Sequence, residues 1–69
     1  MKVHSEVTGT VWKVEVTAGQ SVAEGDTLLI VESMKMEIPV TAPKAGVVKE
    51  LLTAEGQAVQ EDQVLAILG

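Results

Sequence analysis

Shifted by 37 positions, the 69-residue chain falls on itself without a gap. Gly9 meets Gly46, Val11 meets Val48, Gly19-Gln20 meets Gly56-Gln57 and Val22 meets Val59. Glu24 then meets Glu61, Leu28 meets Leu65, Ile30 meets Ile67, and Val14 falls on Leu51. One domain, 1–69, is expected, with an internal repeat of about 7–32 and 44–69. Each copy is too short to bury an apolar face by itself, so the two must pack together.

Each copy reads as strand. Val11-Trp12-Lys13-Val14-Glu15-Val16 is β-branched and roughly alternating, and Gly19 and Gly25 bracket short turns. Thr27 to Val31 is apolar on both faces, which predicts a central strand; Val47–Leu52 and Gln63–Leu68 repeat the pattern. Val11 and Val14, like Val48 and Leu51, break period two, and a bulge or bend accounts for it. The matched glycines predict turns with positive φ, and Asp62, opposite Gly25, predicts a changed turn. Pro39 and Pro43 suit an edge strand or its ends. Trp12 is expected to pack on a sheet face and His4 to be solvated near the terminus. No segment has a helical stripe, so the fold class is all-β, built from two interlocked halves.

Composition narrows the function. Ten acidic residues against five lysines, with no arginine, give a formal charge of −5, which repels a phosphate backbone. A single Trp12, without Phe or Tyr, offers no platform for stacked bases. Nucleic acid is not an expected partner. Apolar stretches such as Leu28 to Val31 are far too short to span a bilayer, and Met1 to Glu6 lacks the apolar block of a secretory signal. There is no cysteine for a disulfide or thiolate-metal site. These features predict a soluble, cytoplasmic domain with no membrane partner. One histidine, three serines and scattered carboxylates, with no phosphate-cradling glycine loop, predict no catalytic residue, no metal site and no active site of its own.

The connection between the copies is Glu32-Ser33-Met34-Lys35-Met36-Glu37-Ile38. Strand propensity enters through Thr27–Val31 and leaves through Ile38–Thr41, so the join is expected to be a tight hairpin over 33–37. No Gly, Asn or Asp marks it. A lysine at its tip would project into water between two methionines. In the plainest reading it is a solvated turn residue, the methionines fill gaps in a core, and Glu32 and Glu37 are solvated cross-strand neighbours.

Glu32-Ser33-Met34-Lys35-Met36-Glu37 resembles the attachment motif of biotinyl domains, whose Met-Lys-Met lysine carries biotin. Gly9, Gly19 and Gly25 before the motif, and Ala42-Pro43 with Gly46 and Gly56 after it, extend the resemblance over nearly the whole chain. It implies a flattened β-barrel, a barrel-sandwich hybrid of two quasi-symmetric four-stranded halves, with the attachment lysine on a tight hairpin turn. It further implies that a biotin–protein ligase attaches biotin covalently to Lys35. Met34 and Met36 would be flanking recognition residues, and Glu32, Ser33 and Glu37 would contact the ligase. As a biotin carboxyl carrier, the domain would move a carboxyl group from an ATP- and bicarbonate-using biotin carboxylase to a separate carboxyltransferase. Ser33 departs from the family's usual Ala or Val but is small enough to fit. Equal spacing, Gly9 to Gly25 and Gly46 to Asp62, leaves no room for the thumb loop of acetyl-CoA carboxylase carriers. The likeness is therefore to thumbless domains, free-standing or excised from the C-terminal end of a larger protein.

Two other readings compete. Lipoyl carriers, and attachment proteins accepting either cofactor, resemble biotinyl domains in fold and lysine position; their lysine more often follows Asp and precedes Ala or Val, so the methionine pair favours biotin over lipoate. An unmodified barrel-sandwich binding module would have no reason to hold a lysine between two methionines at its turn.

Overall fold

The computed structural model describes all 69 residues. Eight strands follow one another: β1 Lys2–His4, β2 Gly9–Val14, β3 Ser21–Val22, β4 Thr27–Ser33, β5 Met36–Thr41, β6 Gly46–Leu51, β7 Ala58–Val59 and β8 Val64–Leu68. They form two four-stranded sheets, ordered β1-β8-β6-β3 and β5-β4-β2-β7, and all pairings are antiparallel. The strands expected to be central, β4 and β8, lie inside their sheets. The shift of 37 that aligns the sequence carries β2, β3 and β4 onto β6, β7 and β8, and also β1 onto β5, with Val3 over Val40.

Each sheet takes two strands from each half, because β3 pairs with β6 and β7 with β2. Matched hydrogen bonds hold the crossing: the Gly19 N–H donates to the Val48 carbonyl (2.7 Å), and the Gly56 N–H to the Val11 carbonyl (2.8 Å). Fourteen apolar residues from both halves make one core, with Leu28, Leu29, Val31, Val48, Leu65 and Ala66 fully buried. Each large side chain among them contributes about 1.5–3 kcal/mol by leaving water. The one buried polar residue, Ser5, donates from its hydroxyl to the Val7 carbonyl (2.6 Å), so no buried side-chain group is left unpaired.

The broken alternation is a bulge in both halves. Val11 opposes Val31, but the next pairing is Lys13 with Ile30; likewise Val48 opposes Leu68, and Glu50 opposes Ile67. Trp12 and Lys49 are the inserted residues. Each bulge lets both flanking apolar residues face the core, with Val11 and Val48 buried and Val14 and Leu51 packed against it. As a consequence Trp12 lies on the outer sheet face, 50% exposed, and is not the packed residue expected.

Two turn expectations need correction. Gly19, Gly25 and Gly56 do adopt positive φ, but Gly9 and Gly46 do not. Those two open β2 and β6, where a Cβ on Gly9 would press on the Glu32 backbone and the Val31 side chain, and one on Gly46 would lie 2.6 Å from the Gly69 carbonyl oxygen. They are glycine because another backbone passes too close. Asp62 does not change its turn. It holds φ 69° in place of glycine, as Asp tolerates the left-handed region. Its N–H donates to the Ser5 carbonyl (2.8 Å) as that of Gly25 does to the Ala42 carbonyl (2.9 Å).

Pro39 lies on an edge strand, as expected. Counting from the hairpin, Ser33–Met36, Val31–Ile38 and Leu29–Val40 are the hydrogen-bonded pairs, so Glu37 and Pro39 aim their backbone groups away from β4. Proline has no N–H to offer that open edge. The edges of β5 and β1 face each other across a groove of about 240 Å³ lined by residues such as Val3, His4, Ile38 and Val40, and the barrel stays open there. No helix is long and apolar enough to cross a membrane.

Gly9→Ala is expected to destabilise the fold by about 1–3 kcal/mol through overpacking. Asp62→Gly should shift stability by less than about 1 kcal/mol, because relief of the left-handed strain and the added chain entropy oppose each other. Urea denaturation of the two variants measures both.

Candidate functional site

The strands β4 and β5 end and begin at Ser33 and Met36, leaving a two-residue loop. Met34 has φ 51° and Lys35 has φ 66°. Two successive left-handed residues are the signature of a type I′ turn, whose twist matches that of the strands it joins. Glycine and asparagine normally fill it; a methionine and a lysine there each cost about 1 kcal/mol or more. The ladder beneath overrides that cost, running from Ser33–Met36 through Glu32–Glu37 and Val31–Ile38 down to Thr27–Thr41. The Ser33 hydroxyl also donates to the Thr8 carbonyl (2.8 Å), while the Thr8 hydroxyl accepts from the Glu61 N–H (3.1 Å). Ser33, the departure from the family pattern, thus anchors the hairpin base to the start of β2. Thr8, absent from the sequence-based candidates, supplies the anchor from 25 residues away.

All six motif residues lie together on this hairpin. Lys35 is exposed at the tip and makes no hydrogen bond or ion pair; the chain's one ion pair joins Lys13 and Glu15 (3.4 Å). Met34 is 93% and Met36 64% exposed, so neither fills a core gap. Glu32 and Glu37 are exposed and directly opposed across the ladder, a like-charge pairing that weakens a hairpin, and neither forms an ion pair with a cation of this chain.

The geometry defines what the tip can do. A primary amine on a four-carbon stem stands clear of the fold on a fixed turn, free to be acylated by an activated carboxylic acid. That arrangement fits a covalently carried acid cofactor, because nothing in the chain competes for the amine. No group of three or more His, Cys, Asp or Glu could hold a metal ion. His4 is exposed on β1, in the other sheet, with Nδ1 2.8 Å from the Asp62 carbonyl oxygen. The groove between β1 and β5 contains none of the six motif residues.

An open two-sheet β-fold that presents an unpaired lysine on a left-handed hairpin turn is compatible with a protein that carries a cofactor on a lysine. The biotin/lipoyl family, described as that of biotin-requiring enzymes, matches residues 1–68, and the chain belongs to it. The chain is 46% identical over 65 residues to a biotin/lipoyl attachment protein of Bacillus subtilis (strain 168), covering 94% of this chain and 89% of that one. It is 50% identical over 56 residues to the biotin carboxyl carrier protein of acetyl-CoA carboxylase from Haemophilus influenzae, covering 81% of this chain and 36% of that relative. Its fold superposes with a TM-score of 0.95 and 35% identity on part of the Kluyveromyces lactis urea carboxylase, covering 100% of this chain and 6% of that enzyme.

Replacing the turn by Met34→Asn with Lys35→Gly should relieve the left-handed strain and, after the added chain entropy of glycine offsets part of that gain, stabilise the fold by about 1 kcal/mol. A thermal melt should then shift upward by roughly 4–8 °C.

Proposed function

We propose that this chain is a biotin carboxyl carrier domain, with biotin joined in amide linkage to the Lys35 Nζ. The observation that carries the reading is the unpaired Lys35 amine on a strained two-residue turn between two exposed methionines. A biotin–protein ligase performs the attachment. The neutral amine displaces AMP from biotinyl-adenylate, the new C–N bond replaces the acyl–phosphate bond, and the amine proton goes to solvent or a ligase base. Met34 and Met36 flank the amine as recognition residues and Glu32 and Glu37 face the ligase, while Ser33, expected beside them, points to the opposite face of β4 and braces the turn through the Thr8 carbonyl.

When bound, biotin supplies a ureido nitrogen that carries the carboxyl group. This chain's residues supply the tether: a rigid turn on one sheet gives the arm a high effective concentration at any site it reaches. The carboxylase and carboxyltransferase centres belong to partner proteins or domains, and the carrier has no active site of its own. Its compartment is the cytoplasm, with no membrane or nucleic-acid partner. Acylation removes one positive charge and takes the formal charge from −5 to −6, since one of the five lysines is neutralised. The acylated form should elute later from an anion exchanger.

Intact mass after incubation with a biotin–protein ligase, biotin and ATP tests the reading. A gain of one biotin less one water is expected, located on Lys35 by peptide mapping and abolished in Lys35→Arg. No gain on folded protein would overturn it. The likeness to a biotin/lipoyl attachment protein favours lipoate as the second reading. Met34→Asp should then move modification toward lipoate in a parallel lipoylation reaction.

A further inference from the structure

The internal repeat lets each position be read against its counterpart. The bulge turns Val11 and Val14 inward, so Trp12 and Lys13 both face outward against Ile30, which is itself opposed by Pro39 on β5. A row Trp12–Ile30–Pro39 therefore crosses three strands on the outer face of this sheet, with Trp12 and Pro39 exposed and Ile30 half-buried. The next outward row, about 7 Å nearer the turn, is Thr10–Glu32–Glu37. Lys35 lies just beyond it.

On the other sheet the same positions hold Lys49, Ile67 and Lys2, and Gly69 stands where Glu32 would be. Two sheets of similar build thus carry different outer faces. The apolar row and the directly opposed acidic pair occur only on the sheet that carries Lys35. The fold does not require them there. Lys49 occupies the same bulge as Trp12, and Glu32 and Glu37 repel each other across the ladder.

We propose that this outer face is the docking surface for the enzyme that acylates Lys35, with the Trp12 indole as its anchor. The proposal rests on reading Lys35 as the acylated residue. The fitting partner surface has an apolar hollow for the indole and Lys or Arg side chains against Glu32 and Glu37. That enzyme has to select one lysine of five, and one of two similar sheets, in a single geometry. Aromatic anchors carry a large share of interface energy, while facing charges set encounter rate and salt dependence.

The test is steady-state biotinylation by a biotin–protein ligase with the folded carrier as the varied substrate. Trp12→Lys installs the residue that the matching bulge already accommodates. It is expected to raise the carrier KM at least tenfold with kcat within twofold, while urea melts show it folded. The double variant Glu32→Gln with Glu37→Gln should raise KM and flatten its salt dependence. Lys49→Ala, on the other sheet, should leave KM unchanged. An unchanged KM in Trp12→Lys overturns the proposal, as does an equal rise in Lys49→Ala. Normal loading with slowed carboxyl transfer in Trp12→Lys also overturns it and assigns the face to the carboxylase. Failure of the underlying reading looks different: no label reaches Lys35 even in the unaltered protein.

Discussion

Neither half of this chain can bury its own strands, and the architecture depends on that insufficiency. Val11 and Val48, both buried, receive hydrogen bonds at their carbonyls from the turn glycines of the opposite half, Gly56 and Gly19. The core is therefore shared, and each sheet is completed by strands from both copies. The turn between β4 and β5 is the link that joins the two copies. The shared core consequently holds the base of that hairpin firmly and makes no demand on its tip.

The tip departs from what stability alone favours. Two non-glycine residues sit in the left-handed region, two methionines face water, and two glutamates oppose each other with neither in an ion pair. Local choices that conflict with an otherwise consistent fold mark the places where function is carried. Here the ladder, Ser33 and Thr8 hold the turn in place, and the amine it presents has no competing partner. The same logic applies to Trp12, an exposed indole where the equivalent bulge has a lysine.

Much of this could be read from the sequence, and the misreadings have physical causes. The three-residue spacing of Val11–Val14 and Val48–Leu51 announced the bulges, since only an inserted residue lets both face one core. Strands β3 and β7, two residues each, are too short to show any period and became visible only through their pairing. Gly9 and Gly46 look like turn glycines in sequence; only the placed backbones of Glu32 and Gly69 show that contact, not φ, requires them. Asp62 hides a left-handed turn behind a side chain that tolerates it. The hairpin was placed by its flanking strands and its family likeness, because Met34 and Lys35 are poor turn formers. The bond from Ser33 to Thr8 spans 25 residues and has no local signature.

The central claim is that the folded turn, more than the short motif, makes Lys35 the target. The most direct test compares ligase-catalysed biotinylation of the folded domain with that of a synthetic peptide spanning residues 32–37. The account predicts rapid labelling of the domain at Lys35 and a rate for the peptide lower by at least a hundredfold. Equal rates would show that the ligase reads the six residues without the fold, and would contradict the account.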